Sequence, residues 1–239
     1  MPLNPETRAK LQRVSTATLA TALFKRGMRN QMIQNVQPLS PPKALSMVGE
    51  AYTLRYIPAR EDLNTMEVFR DPNHPQRRGV DECPAGVVMV IDSRKDARAA
   101  SAGGILVTRL MMRGAVGVVT DGGFRDSVEI AALDIASYHQ RPSAPTNLTL
   151  HQAIDINVPI ACGGAPVFPG DVIVGDGDGV IVLPAHLADE LAAEATEMTA
   201  YEDYVTERVR GGAATRGLYP ATDPANLELF KVWREKSGR

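Results

Sequence analysis

The sequence predicts an α/β domain with a helical arm at each end, and three stretches carry that expectation. "VVMVID" (87–92) is a continuous apolar run closed by a carboxylate, the pattern of a strand buried on both faces. Residues 103–120 read as a helix followed by a strand. Gly103 and Gly104 open the helix, Leu106, Leu110 and Met111 mark its buried stripe, Gly114 stops it, and "AVGVVT" follows. Two strands joined by a helix imply a parallel pair with a right-handed crossover. The third stretch, "PVFPGDVIVGDGDGVIVLP" (166–184), places two short β runs around "GDGDG", which predicts a hairpin with a tight turn.

The other elements follow in order. Over 6–27, Leu11, Val14, Thr18, Leu19, Ala22 and Leu23 recur at helical spacing and Gly27 supplies a stop, so one N-terminal helix is expected. "VGEAYTLRYIPA" (48–59) alternates and is rich in β-branched and aromatic residues, a strand. Residues 60–86 are polar and Pro-containing, an irregular crossing with a short helix. Beyond Pro184 a long Glu/Ala-rich helix carries the stripe Leu187, Leu191, Ala195 and Met198. A final amphipathic helix, "PANLELFKVWREKS", offers Leu227, Phe230 and Trp233 for docking on this subunit or a neighbour. With no internal repeat, residues 1–212 read as one domain and 213–239 as a C-terminal arm.

Composition narrows the function. Of 239 residues 44% are hydrophobic and 23% charged, ordinary for a globular protein, and the net charge of −2 argues against nucleic-acid or anionic-membrane binding. No stretch has the roughly 20 apolar residues of a membrane span, so a cytoplasmic location is expected. The two cysteines, Cys83 and Cys162, have neither zinc nor disulfide spacing and read as packing residues. The histidines, His74, His139, His151 and His186, fall at no metal-ligand spacing, and only His139 lies near a plausible cleft.

Chemistry-bearing residues concentrate in "GGILVTRLMMRGAVGVVTDGGFRDS" (103–127). Gly103 and Gly104 precede a helix, whose first turn presents free N–H groups suited to a carboxylate or phosphate. On local signal alone the two glycines read first as a tight turn into the helix and nothing more. Arg125 offers a planar fork for a carboxylate, Asp126 hard oxygen ligands for Mg²⁺ or Mn²⁺, and Glu129 shares a helical face with Asp126. The same residues also fit a surface pair with Asp126 or Ser127 as helix N-cap. "GDGDG" (175–179) lacks the Glu and the spacing of a calcium loop and reads as a turn.

Gly104, twenty residues, Arg125-Asp126, two residues and Glu129, with "STATLATAL", "RGAVGVVTDGG" and "NVPI…FPGDVIVGDGDGVIVLP", make the chain resemble the RraA-like family. That family includes the class II 4-hydroxy-4-methyl-2-oxoglutarate aldolases, which also decarboxylate oxaloacetate. The resemblance runs over most of 13–200. It implies a compact β/β/α sandwich of the swivelling-domain type, assembled as homotrimers or hexamers with active sites at subunit interfaces. It further implies a divalent metal, Mg²⁺ or Mn²⁺, and a small 2-oxo acid as substrate. Carried over by position, the amides of Gly103, Gly104, Ile105 and Leu106 receive the pyruvate carboxylate and Arg125 holds the pyruvyl oxygens. Asp126 ligates the metal and Glu129 steadies its water shell. The sequence departs from the family at Gly104, where many members carry an acid, and at Thr21, where an Asp is usual. A ribonuclease-regulator-like binding protein and a lyase or hydratase of sugar-derived 2-oxo acids are the alternatives within this resemblance.

Overall fold

A computed structural model describes residues 2–39 and 43–238. The single N-terminal helix expected over 6–27 is two helices, α1 (Pro5–Leu11) and α2 (Thr16–Lys25). Ser15 makes the break: its hydroxyl accepts from the Thr18 amide and so caps a fresh helix start. Short strands β1 (Met32–Ile33) and β2 (Gln37–Pro38) precede β3 (Met47–Pro58). The irregular crossing holds a 3₁₀ turn, Met66–Arg70, and α3 (Pro75–Glu82). Then come β4 (Val87–Asp92), β5 (Ala100–Ala102), α4 (Gly104–Met112), β6 (Gly117–Thr120), β7 (Gly123–Phe124) and α5 (Ser127–Ala131). The rest is β8 (Ala136–His139), β9 (Arg141–Pro142), β10 (His151–Ile156), β11 (Ile160–Cys162), β12 (Ala165–Val167), β13 (Val172–Asp176), β14 (Gly179–Leu183), α6 (Ala188–Arg210) and α7 (Pro224–Ser237).

Nine strands form the main sheet in the order β1-β14-β13-β3-β4-β6-β8-β2, with β10 also paired to β3. Along one edge of β3, Met47–Glu50 pair antiparallel with β13, and Leu54–Pro58 pair antiparallel with β10. Along its other edge, Glu50–Arg55 run parallel to β4. The β4–β6 and β6–β8 pairs are also parallel, so the predicted strand–helix–strand unit is present as β4, α4 and β6. The predicted hairpin is β13–β14, turning through Gly177 and Asp178.

Strand alternation explains why β4 is apolar throughout. Met89 and Ile91 face Val80 of α3 and Val107 and Leu110 of α4, whereas Val88 and Val90 face Cys162, Val167 and Ile173 on the other side. In α4 the buried stripe is therefore Val107 and Leu110, with the expected Leu106 and Met111 only half-buried at its margins. The outer face of the hairpin, Val172, Val174, Ile181 and Leu183, packs under Leu11, Leu19, Leu23, Leu191 and Ala195 of the terminal helices. Both cysteines are buried packing residues, as the sequence indicates.

The C-terminal arm folds back on its own chain. Phe230 and Trp233 pack against Tyr201 and Tyr204 of α6, and Arg234 takes Glu197 in a two-pronged ion pair. Leu227, expected among the docking residues, points outward instead. Among the described residues no helix is long and apolar enough to cross a membrane.

Candidate active site

The spacing between the glycine pair and Arg125-Asp126 has a structural cause. β5 and β7 lie side by side in a small three-stranded parallel sheet, β5-β7-β9, separate from the main one. Gly103 follows β5 and Arg125 follows β7, and the Arg125 amide donates to the Ala102 carbonyl at 3.2 Å. The intervening residues are spent on α4 and β6, after which the chain returns to the same place. The site thus forms just past the carboxyl ends of parallel strands, the usual position for ligands in α/β proteins.

Asp126 does not cap α5. It sits at that helix's N-cap position in the left-handed region (φ 56°, ψ 40°), and its side chain makes no bond to the helix it precedes. The carboxylate instead reaches α4: Oδ2 accepts the Gly104 N–H at 3.0 Å and lies 3.5 Å from Arg125 Nε. Asp, like Asn, is among the few non-glycine residues that enter this region readily, so the distinguishing feature is the direction of the side chain.

Gly103 is required by proximity rather than by its backbone angles, which are extended. A Cβ there would meet Asp126 Oδ2 at 2.8 Å and Arg125 Cγ at 2.9 Å. At Gly104 the nearest contact is Asp126 Cβ at 3.4 Å, ordinary packing. Of the four amides expected to face a ligand, two are engaged: Gly104 donates to Asp126, and Leu106 to the Gly103 carbonyl. The Gly103 and Ile105 amides donate to no carbonyl among the described residues.

Two recesses meet at Asp126. One, of about 180 Å³, is bounded by Gly103, Ile105, Leu106, Arg125 and Asp126 and, across from them, by residues of the Met66–Arg77 crossing and by Asn147. The other, of about 380 Å³, is bounded by Gly104, Thr108, Asp126, Glu129 and Leu133. Glu129 is exposed there, on the same side as Asp126. Thr21 lines neither recess; its hydroxyl bonds the Ala17 carbonyl within α2. A larger hollow of about 470 Å³ lies at the opposite end of the sheet, by Val116 and Ile135. Its cations, Arg8 and Lys43, are already paired with Glu50 and Asp134, and its remaining lining is mostly apolar. Arg125, Asp126 and Glu129 line the smaller recesses instead.

Whether Asp126 and Glu129 suit a divalent cation follows from their number. No group of three His, Cys, Asp or Glu side chains is arranged to hold a metal among the described residues. A tightly caged ion does not fit. Mg²⁺ or Mn²⁺, which retain several waters and need only one or two carboxylates, do.

Buried polar side chains support the site from below. The hydroxyls of Ser93, Ser101 and Thr120 bond one another at 2.6–3.3 Å, and the Ser101 carbonyl accepts from Tyr56 Oη at 2.7 Å and Gln76 Nε2 at 2.9 Å. Asp121, fully buried at the end of β6, accepts the amides of Ser93, Lys95 and Gly163 at 2.6, 3.0 and 2.9 Å. Burial outweighs these donors and pushes its carboxyl up to about 6. Folding therefore favours its protonated form, and the stability this gives is complete below the ordinary carboxylate range. It fades as pH rises through about 6. A carbon-detected NMR titration should place the Asp121 midpoint near 6, with unfolding free energy declining across the same interval; a midpoint near 4 would contradict this. The sequence hides Asp121, which reads there as part of a "DGG" turn.

None of the four histidines enters either recess. His139, expected near a cleft, is buried and stacked on Phe124 at 5.5 Å, and burial pushes it down to about 4.

Residues 16–182 match the RraA-like family, described as Aldolase/RraA. A protein of Halalkalibacterium halodurans named putative 4-hydroxy-4-methyl-2-oxoglutarate aldolase is 34% identical over 144 residues, 60% of this chain and 68% of that one. The 4-hydroxy-4-methyl-2-oxoglutarate aldolase of Thermus thermophilus is 30% identical over 122 residues, 51% of this chain and 73% of that one. Among solved structures, Streptomyces coelicolor RraAS2, an unusual member of the RNase ES inhibitor RraA protein family, superposes with a TM-score of 0.74. That match has 26% identity and covers 85% of this chain and 97% of the other. An uncharacterized protein from Pseudomonas syringae shares the fold, with a TM-score of 0.79, 22% identity and coverage of 92% and 96%.

Proposed function

Because the chain belongs to the RraA-like family, we propose that it is a carbon–carbon lyase acting on a small 2-oxo acid. The reactions are oxaloacetate decarboxylation and retro-aldol cleavage of 4-hydroxy-4-methyl-2-oxoglutarate-like substrates. One observation carries this reading: Asp126 turns its carboxylate away from the helix it precedes and onto the start of α4, with the Arg125 guanidinium beside it on the lining of a small recess.

Each residue has a defined task. The free Gly103 and Ile105 amides, at the positive end of the α4 dipole, receive the substrate's C1 carboxylate. Arg125 spans that carboxylate and the keto oxygen. As the C3–C4 bond breaks, its electron pair moves toward C2 and the keto oxygen becomes an enolate oxygen, where the guanidinium offsets the charge. Asp126, with Glu129, would hold Mg²⁺ or Mn²⁺, and such an ion, when bound, supplies Lewis-acid neutralisation of the same charge. Retro-aldol cleavage also needs a base for the C4 hydroxyl proton, and no histidine reaches the recess. Decarboxylation of oxaloacetate needs none, so it is the activity these residues support most directly.

Arg125→Lys should lower kcat/KM for oxaloacetate about 100-fold, since an ammonium cannot span two oxygens at once. The check is pyruvate release in a coupled assay with Mg²⁺; wild-type kinetics would remove Arg125 from this role. A homotrimer or hexamer belongs to the same reading. Its support is Ile105 and Val128, 83% and 81% exposed beside the pair, which a neighbouring subunit would cover. The RraAS2 likeness favours a second reading, a ribonuclease-binding protein. That reading requires nuclease binding that survives substitution of Arg125 and Asp126, with no metal-dependent turnover.

A further inference from the structure

The crossing between β3 and β4 lines the same recess as Arg125, and its arginines are unequal. Arg60 is paired with Asp62, Arg70 with Glu67, Arg78 with Glu82, and nearby Arg109 with Asp81. Arg77 has no carboxylate partner among the described residues. It is half-buried, and its guanidinium lies over the Phe69 ring at 4.6 Å from the centroid. Phe69 and Arg77 both line the recess of Gly103, Arg125 and Asp126.

The backbone carrying Arg77 is fixed from beneath. Neighbouring Gln76 is buried and donates to Tyr56 Oη at 2.8 Å and to the Ser101 carbonyl at 2.9 Å, which ties the first turn of α3 to β5. The stack on Phe69 limits the side chain's own freedom. A half-buried, oriented and unpaired guanidinium is costly without an anion to meet it. The recess carries two guanidinium groups against the single carboxylate of Asp126, so it retains positive charge even before any cation binds. Its volume of about 180 Å³ is below the ~300–1,000 Å³ of clefts for drug-sized ligands and suits a short-chain acid.

We propose that Arg77 is a specificity-determining residue that receives the distal carboxylate of a dianionic 2-oxo acid, while Arg125 holds the 2-oxo end. This rests on the 2-oxo-acid reading of the site and assigns the second carboxylate of such substrates to a specific side chain. It also gives the crossing a purpose: Phe69 and Gln76 act as positioning residues for that recognition.

A matched pair of uncleaved ligands tests it. 2-Oxoglutarate and 2-oxopentanoate have the same chain length and differ in the terminal carboxylate. Calorimetry on the full chain with Mg²⁺ should show 2-oxoglutarate bound roughly 10- to 100-fold more tightly, the range of a charge-assisted hydrogen bond. Arg77→Gln should bring the two ligands within about threefold by weakening 2-oxoglutarate alone, and Arg77→Lys should fall between. Equal wild-type binding, or a preference that survives in Arg77→Gln, would overturn the role of Arg77. Oxaloacetate turnover by the wild type separates the two levels. Turnover with no ligand preference removes Arg77 only, whereas neither turnover nor binding removes the 2-oxo-acid reading and this proposal with it.

Discussion

Asp126→Asn is expected to fold like the wild type and to lose Mg²⁺-dependent pyruvate release from oxaloacetate by about 10³-fold, a barrier increase near 4 kcal/mol. The choice of Asn matters. Asp126 occupies the left-handed region and its Oδ2 accepts the Gly104 amide. Asn tolerates that backbone and keeps an acceptor oxygen, so only the charge and the hard ligand are removed. Asp126→Ala loses the same activity but also carries backbone strain, at roughly 1–3 kcal/mol of stability, while the Gly104 amide it releases is open to water. Steady-state kinetics beside thermal melts of both variants separate the two contributions. An Asn variant that still turns over oxaloacetate would mean that the carboxylate serves structure alone.

Gly103→Ala should lower kcat/KM by about 100-fold or more, through a displacement of Arg125 and Asp126 together. The added methyl would lie 2.8 Å from Asp126 Oδ2 and 2.9 Å from Arg125 Cγ, closer than carbon contacts permit. Both side chains are partly exposed and free to swing outward, so the variant should fold and lose geometry rather than stability. Gly104→Ala provides the control. Its methyl would meet Asp126 Cβ at 3.4 Å, an ordinary contact, and kinetics should change by no more than about threefold. Equal effects from the two substitutions would show that the helix start, and not the approach of the pair, sets the rate.

Much of the fold was legible where one physical signal dominated. β4 and the β13–β14 hairpin are buried on both faces and so read as continuous apolar runs; α4 is bracketed by glycines. Legibility failed where the deciding interaction lies elsewhere in the chain. The break between α1 and α2 turns on one Ser15 hydroxyl inside an unbroken helical rhythm. Strands β5, β7 and β9, two or three residues each, are too short for any periodicity, yet they bring Gly103 to Arg125. Arg125, Asp126 and Glu129 stand out as residue types in a suggestive order, but whether Asp126 caps α5 depends on the direction of one carboxylate, which only the fold gives. Arg77 gave no signal, because in a polar segment full of arginines the unpaired one is visible only after its neighbours have been matched.

Strand β3 has a mechanical consequence. Its twelve residues are pinned along both margins, by β13 and β10 on one and β4 on the other. Any sliding of the hairpin lobe against the parallel lobe would have to rupture several ladders at once. Phe69 and Arg77 belong to none of these ladders, and the bonds of Gln76 to Tyr56 and Ser101 tie their segment down to the same scaffold. A side-chain change at Phe69 or Arg77 would alter the recess without touching a single ladder.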